Sequence, residues 1–419
     1  MVAESTRRGA VVLRDEVSRD LAGSSVDALV PALRAGAFLA WVDVEDVAEL
    51  GPRSAVGIIR MSDDRRIIVP LVNDGRWRRA EASDAISLDV LLAQAPLVLR
   101  QVNAAPDLSA YRERSIDVDM SNDVRVIDDT LVAKWQLLDE AGSMAGSRVV
   151  EHLAEAGFTE MPDPIASLSW HDRLLASLTR YLPDAKDGWE WMLDDVRFML
   201  EGAQGPPDWP TSIGELTGRL HAAAARATSV IPRPVGRSDL IPLGRHYRHL
   251  LQTELDPEMT QALAPWRDRM ERACTVVESA TDVEVIPLHG DLHPGQFLLW
   301  REGMAIGDFD GNPLLSSADR GLPGPTAHDV AGILRGFDHV AIAAARRVDD
   351  PDAVVRGRQW ARQARSAALN AYLGVEGVPS LDVGLLEALE TLSPLHEAVY
   401  ASTYLERWRY VPLTVLNDL

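Results

Sequence analysis

The stretch from Val285 to Pro313 restricts this chain most, because its polar residues gather only where short apolar segments end. Val283 to Leu288 reads as a β-like run, and Phe297 to Trp300 and Met304 to Gly307 read as the arms of a hairpin turned at Arg301-Glu302-Gly303. A fold that accommodates this pattern brings strand ends together, and with them His289, Asp291, His293, Gln296, Asp308 and Asp310. Pro294 fixes φ and removes a backbone donor, which sets the turn that aims Asp291. Gln296 offers a neutral amide oxygen and Asp308 an anionic one, the donor types that a hard cation takes.

The order of these groups resembles the protein kinase-like fold with one replacement. There a catalytic Asp is followed five residues later by an Asn that holds Mg²⁺, and a hairpin then presents the metal-binding Asp of a D-F-G turn. Here Asp291 is followed five residues later by Gln296, then by the hairpin, then by Asp308-Phe309-Asp310-Gly311. Phosphoryl transfer asks mainly for position and charge, so Asp291 is the candidate base and Gln296 and Asp308 are the candidate Mg²⁺ ligands. His289 is expected to brace the turn through hydrogen bonds rather than to take a proton. Two other readings compete: an acidic surface hairpin with chance histidines, and a metallohydrolase using His289, Asp291 and His293. The second needs further histidines at short spacing, whereas the remaining ones are scattered.

Charge narrows the partners. A net charge of -21 opposes a nucleic acid backbone or an anionic membrane as main partner and leaves room for a neutral or cationic small substrate. The single Cys274 excludes an internal disulfide framework and fits a small buried hydrophobe. The N-terminus is too densely charged for a signal peptide, and no apolar run approaches the ~20 residues that span a bilayer. A cytoplasmic monomer is the expectation. Of 42 basic residues only Lys134 and Lys186 are lysines, which shortens the search for a phosphate-binding lysine.

Taken in order, residues 1–97 read as a β-rich cap, with strands over Ala37 to Val44, Ala55 to Met61 and Arg66 to Val72 and a turn at Asn73-Asp74-Gly75. Residues 98–183 read as a nucleotide-binding lobe with its hinge. Within it Val124 to Ile127 and Leu131 to Lys134 suit a hairpin, so Lys134 projects from a strand, whereas Lys186 sits in a turn-like Pro183 to Gly188. Ser121 precedes the hairpin and belongs to the loop over the phosphates. A helix is expected around Ser147 to Glu155, where Glu151 is the candidate acidic partner of the lysine and Arg148 an alternative occupant of that position. Ala176 to Leu182 is extended and ends at Pro183; its backbone, at Arg180 and Leu182, would pair with adenine.

Residues 184–419 read as helical. Asp187 to Glu190 resembles a capping box, a helix starts at Ser212 to Glu215, and Val330, Ile333, Leu334, Phe337 and Val340 mark another, with Asp329 in its first turn able to tether the catalytic turn. His221 is read as a packed or hydrogen-bonded core histidine. His396 to Leu413 carries an aromatic stripe, usually a core feature, though Trp and Tyr also cover sugar faces well.

HGDLHPGQ at 289–296, IGDFDGNP at 306–313, HDVAGILRGFDHVA at 328–341, RYLPDAKDGWEWM at 180–192 and EAVYASTYLERWRYVPL at 397–413 together resemble the maltokinase-like branch of the aminoglycoside phosphotransferase group. The resemblance runs over most of the chain. It implies an α+β, bilobal protein kinase-like fold, ATP and Mg²⁺ as cofactors, and a sugar or amino sugar as acceptor. Maltokinases usually carry HGDYHLGQ and DFEG and a longer closing segment. The departures fall where the acceptor binds, point away from maltose, and look like those of bacterial glucosamine kinases, which phosphorylate the sugar 6-hydroxyl. On this resemblance Lys134 binds the ATP phosphates, and Asp310, His293, Glu406, Trp408 and Tyr410 shape the sugar pocket. A maltokinase, an antibiotic phosphotransferase and a non-catalytic pseudokinase are the alternatives.

Overall fold

The computed structural model describes residues 2–29, 40–108, 111–116, 122–140, 142–403 and 409–418. Ser121, Glu406 and Trp408, and the first residues of the strand expected from Ala37, lie outside them. The chain forms two compact units, Met1–Ser147 with Pro162–Pro183, and Arg148–Met161 with Asp184–Leu419.

The first unit holds two antiparallel sheets. Helices α1 (Val2–Leu21) and α2 (Val26–Leu29) precede a meander of β1 (Trp41–Gly51), β2 (Ser54–Met61), β3 (Arg66–Asn73) and β4 (Trp77–Arg79), hydrogen-bonded in that order. The expectations from the sequence did not include α1, although Leu13, Val17 and Leu21 stand at helical spacing and pack inward. β2 and β3 read as unbroken apolar runs because both of their faces are covered. Val56, Ile58 and Ile68 enter one core, which they share with Ile127, Leu131, Trp135 and Leu168. The alternate residues Ala55, Ile59, Met61, Ile67, Val69 and Leu71 enter another, against Val17 and Leu21 of α1.

The second sheet has the order β5 (Val98–Gln101), β9 (Pro164–Trp170), β10 (Arg173–Arg180), β8 (Leu131–Trp135), β7 (Asp123–Ile127) and β6 (Glu113–Ser115). The expected hairpin is present, with Ile127 paired to Leu131 across a turn in which Asp128 and Asp129 take φ of 48° and 47°. Lys134 sits on the central β8, opposite Ser177 and Val124. Period two explains its setting: Leu131, Ala133 and Trp135 are buried while Val132 and Lys134 are half-buried.

The second unit is mainly helical, as expected. It takes in most of α3 (Met144–Glu155), then α4 (Gly188–Leu200), α5 (Trp209–Ala224), the strand β11 (Gly236–Ser238), α6 (Ile241–Leu250), α7 (Pro257–Leu263) and α8 (Arg267–Ser279). β12 (Val283–Val285), β13 (Phe297–Trp300), β14 (Gly303–Ile306), α9 (Ser317–Arg320), α10 (Ala327–Ala345), α11 (Ala353–Leu373), α12 (Val383–Thr403) and α13 (Tyr410–Asp418) follow. One core runs through them, from Trp191, Trp209 and Phe337 to Trp360 and Leu392.

Several boundaries differ from the sequence reading. The Asp187 side chain caps α4 by accepting from the Glu190 N–H at 3.0 Å. α5 starts at Trp209 rather than Ser212, because Pro210 is pre-set for a first helical turn. α12 begins at Val383, well before His396, and runs through Pro394, whose ring is buried. The β-like run from Val283 is paired only to Val285, with Ile286 bridging Gly324 beyond it. Cys274 is buried in α8 and burial pushes its thiol up to about 11, as suits a small hydrophobe.

Candidate active site

The site in the helical unit is built on the β13–β14 hairpin. Phe297 pairs with Ile306 and Trp300 with Gly303, so a tight turn brings Gln296, just before one strand, level with Gly307, just after the other. The Gly307 N–H donates to the Gln296 carbonyl at 2.9 Å, closing the ladder one step beyond the strands. Asp308 follows at once with φ of 58°, a left-handed conformation that Asp tolerates better than most residues. Its side chain is exposed while Phe309 turns inward, 8% exposed, with its ring 4.8 Å from that of His289.

The turn before the hairpin is held from behind by α10. Asp329, in the first turn of that helix, accepts from the backbone N–H groups of His289 and Gly290, both at 2.9 Å. His221 Nε2 of α5 lies 3.2 Å from Oδ2, the oxygen that also accepts from His289, and the other ring nitrogen of His221 is 2.9 Å from the Tyr372 hydroxyl. Burial alone would raise the Asp329 carboxyl, but hydrogen bonds from His221 and His328 hold it far below the usual carboxylate range. An ionised, fully buried acceptor thus fixes the backbone of the turn.

Two glycines permit the approach. A Cβ at Gly332 would lie 2.4 Å from the Leu292 carbonyl oxygen, and one at Gly336 would lie 2.2 Å from Pro294 Cδ. The helix therefore has to be bare, one turn apart, where the Asp291–Gln296 turn rests on it.

His289 works through both ring nitrogens. Nε2 donates to the Gly307 carbonyl at 2.8 Å, and Nδ1 accepts from the Asp291 N–H at 3.3 Å. This fixes a neutral tautomer and ties the turn that carries Asp291 to the end of the hairpin. His293 follows the same logic. Its Nδ1 accepts from the Gly295 N–H at 3.1 Å, so the neutral ring carries its proton on Nε2, 3.3 Å from the Gln296 carboxamide. Burial first, and His339 after it, push the His293 imidazole down to about 4. A proton on Nε2 is satisfied only if the carboxamide turns its oxygen that way.

Asp291 keeps 27% of its side-chain surface open. Desolvation by the surrounding protein, reinforced by the charges of Asp308 and Asp329, pushes its carboxyl up to about 7. A carboxylate of near-neutral pKa is suited to accept a proton at physiological pH. Among the described residues no group of three or more His, Cys, Asp and Glu is placed to hold a metal ion, so the metallohydrolase reading finds no ligand set there. Gln296 and Asp308 remain the oxygen donors, and their chemistry fits a hard cation.

Asp291, His293, Gln296, Asp308, His289 and Asp329 thus meet around one turn and one hairpin. Asp310 is half-buried two residues beyond Asp308, and Glu151 is buried in α3. Tyr410 has the Arg346 guanidinium over its ring at 4.4 Å. In the first unit, Leu182 is buried and Arg180 pairs with Asp163 at 3.0 Å. His396 was given no role in the sequence reading. Its Nε2 lies 3.1 Å from Asn312 Oδ1, linking α12 to the segment after Asp308, and burial pushes its ring down to about 3. The buried Asn312, two residues past Asp310 in the same GDFDGNP run, was the signal available.

A strand lysine in a six-stranded antiparallel sheet, followed by a helical unit whose oxygen-rich hairpin stands behind a carboxylate of near-neutral pKa, is the order of parts in the kinase-like phosphotransferases. No protein-family profile matches the chain. It is 33% identical over 410 residues to a glucosamine kinase of Streptacidiphilus jiangxiensis, covering 90% of this chain and 91% of that one, and 32% identical over 380 residues to a glucosamine kinase of Mycolicibacterium smegmatis, covering 84% and 92%. Among solved structures, a glucosamine kinase in complex with glucosamine, ADP and inorganic phosphate superposes with a TM-score of 0.75 at 29% identity, over 96% of this chain and 98% of the other. Crystal form A of a glucosamine kinase gives 0.79 at 30% identity, over 96% of each. The chain belongs to the glucosamine kinase family.

Proposed function

We propose that this protein transfers the γ-phosphoryl group of ATP to the 6-hydroxyl of glucosamine. The observation that carries the chemistry is Asp291, a carboxylate pushed to about 7 on a turn anchored by a buried, ionised Asp329. The substrate comes from the family, two members of which are named for glucosamine and one of which was solved with glucosamine, ADP and inorganic phosphate. The acceptor oxygen attacks the γ-phosphorus, the bond to the β-phosphate oxygen breaks, ADP leaves, and Asp291 takes the hydroxyl proton.

The remaining assignments belong to the same reading. Gln296 and Asp308 would hold Mg²⁺, which when bound neutralises the phosphate charge. His293 helps to shape the sugar pocket, and a proton on its Nε2 orients the Gln296 oxygen. Lys134 binds ATP phosphates, with Glu151 as its acidic partner and Ser121 in the loop over them, and Arg180 and Leu182 present backbone to adenine. Asp310, Glu406, Trp408 and Tyr410 shape the sugar pocket. Residues 1–97 act as a cap, and the enzyme works as a monomer in the cytoplasm.

A coupled ADP-release assay with glucosamine, glucose, N-acetylglucosamine, maltose and kanamycin tests the reading. The highest kcat/KM is expected with glucosamine. Preference for maltose or kanamycin would replace the acceptor, and no turnover with any of them would remove the proposed reaction.

A further inference from the structure

The turn that carries Asp291 hangs on Asp329, and Asp329 is gripped in its turn from a separate helix. Gly214, Gly218 and His221 are spaced four and three apart, so they share one stripe of α5. That stripe is bare where it meets α11 and its exit: a Cβ at Gly214 would strike the Ala368 carbonyl oxygen, and one at Gly218 would lie 2.7 Å from Val375 Cγ2. The close approach sets His221, one turn further on, 2.9 Å from the Tyr372 hydroxyl on one side and 3.2 Å from Asp329 Oδ2 on the other. The His221 and Asp329 side chains are fully closed to water, and Tyr372 is 2% exposed.

An ionised carboxylate only accepts, so Nε2 carries a proton toward Asp329 and the Tyr372 hydroxyl meets Nδ1. The His221 and Tyr372 rings also meet edge to face, with centroids 5.6 Å apart, which keeps the imidazole from turning. Asp329 Oδ2 thus takes the His221 ring and the His289 amide, while Oδ1 takes the Gly290 amide. Both amides belong to the turn that the carboxylate has to fix, so they cannot by themselves set its plane. His328, 3.7 Å from Oδ1, is the neighbour of Asp329 on α10 and moves with it. His221 reaches the carboxylate from another helix, and it supplies the independent reference.

We infer that His221 and Tyr372 are positioning residues for phosphoryl transfer. Tyr372 orients the His221 ring, His221 fixes the plane of the Asp329 carboxylate, and through the His289 and Gly290 amides the pair holds Asp291 in place. Both side chains are buried in the helical core and act only through Asp329. The inference rests on Asp291 as the base of the proposed reaction.

The parent enzyme, H221N, H221Q and Y372F test it, each read by steady-state kinetics with ATP and glucosamine and by hydrogen–deuterium exchange at the His289 and Gly290 amides. Gln carries its amide nitrogen about as far out as Nε2 and can still donate to Asp329, whereas Asn reaches only to the level of Nδ1. Phe keeps the ring of Tyr372 without its hydroxyl. H221N is expected to lower kcat about tenfold or more, with both KM values within about threefold of the parent, and to speed exchange at the two amides. H221Q should restore most of both, and Y372F should fall between. A parental kcat in H221N, an equal loss in H221Q, or unchanged amide exchange would overturn the inference. If H221N does not fold, Y372F decides by the same readouts, and parental values in both sink it. With a parent that does not turn over glucosamine, the assigned reaction fails on its own, and the exchange rates alone uphold or overturn the hold on the turn.

Discussion

Replacing Asp291 by Asn is expected to make the protein more stable as it makes it inactive. The carboxyl is raised from 3.8 to about 7 in the folded chain, so the folded state holds this proton more tightly than the unfolded one. The linkage sign follows. The stability associated with the proton is fully present below the unfolded value of about 4, is lost as pH rises through about 7, and stays lost above it. At 1.36 kcal/mol per pH unit the loss approaches ~4 kcal/mol at pH 8. Asp291 keeps 27% of its side chain open to water, and an Asn amide in its place is itself incompletely solvated. About half of that figure, ~2 kcal/mol, is therefore the expected gain for Asp291→Asn at pH 8. For a unit of this size it corresponds to a rise of about 4 to 8 °C in the Tm of the helical unit. The assay is scanning calorimetry with a chelator present, from pH 4.5 to pH 8. The difference between variant and parent should grow across that range and level off above about pH 7. A variant of equal or lower stability at pH 8, or a gain independent of pH, would refute the desolvated-carboxylate account even if activity were lost.

Three further outcomes follow from the same geometry. The kcat/KM for the sugar should fall with unit slope on the acid side as Asp291 takes up its proton, breaking near pH 7 or lower when a cation at Asp308 offsets its charge; a flat profile to pH 5 counts against Asp291 as base. Lys134→Met, on a strand whose buried side is carried by Ala133 and Trp135, should leave the circular dichroism spectrum intact and lower kcat/KM for ATP about 100-fold or more; a loss under threefold would move the phosphate contact elsewhere. Gly336→Ala puts a methyl 2.2 Å from Pro294 Cδ, so it should cost about 1–3 kcal/mol and lower kcat more than it raises KM, which steady-state kinetics would separate; wild-type kcat would mean that the turn can shift without consequence.

The placement of the candidate reacting groups was local enough for the sequence to determine. Asp291, Gln296 and Asp308 stand at fixed offsets around a hairpin whose register follows from alternation and a two-residue turn, so their order along the chain already fixed their proximity. The same holds for Lys134, whose strand position follows from the Asp128-Asp129-Thr130 turn, and for the alternation that buries Ala133 and Trp135 beside it. The start of α12 was not legible, because a helix packed on several sides loses the one-sided apolar stripe that marks it. Contacts between distant segments were decided only by the tertiary structure. Asp329 reaches the His289 and Gly290 amides across about 40 residues of sequence, and His396 meets Asn312 across more than 80. Arg365 reaches Asp338 only because α10 and α11 pack against each other. Residue type and spacing state which groups can react. How far a carboxyl is pushed toward neutral pH depends on what the packed chain lays against it, and no local pattern encodes that.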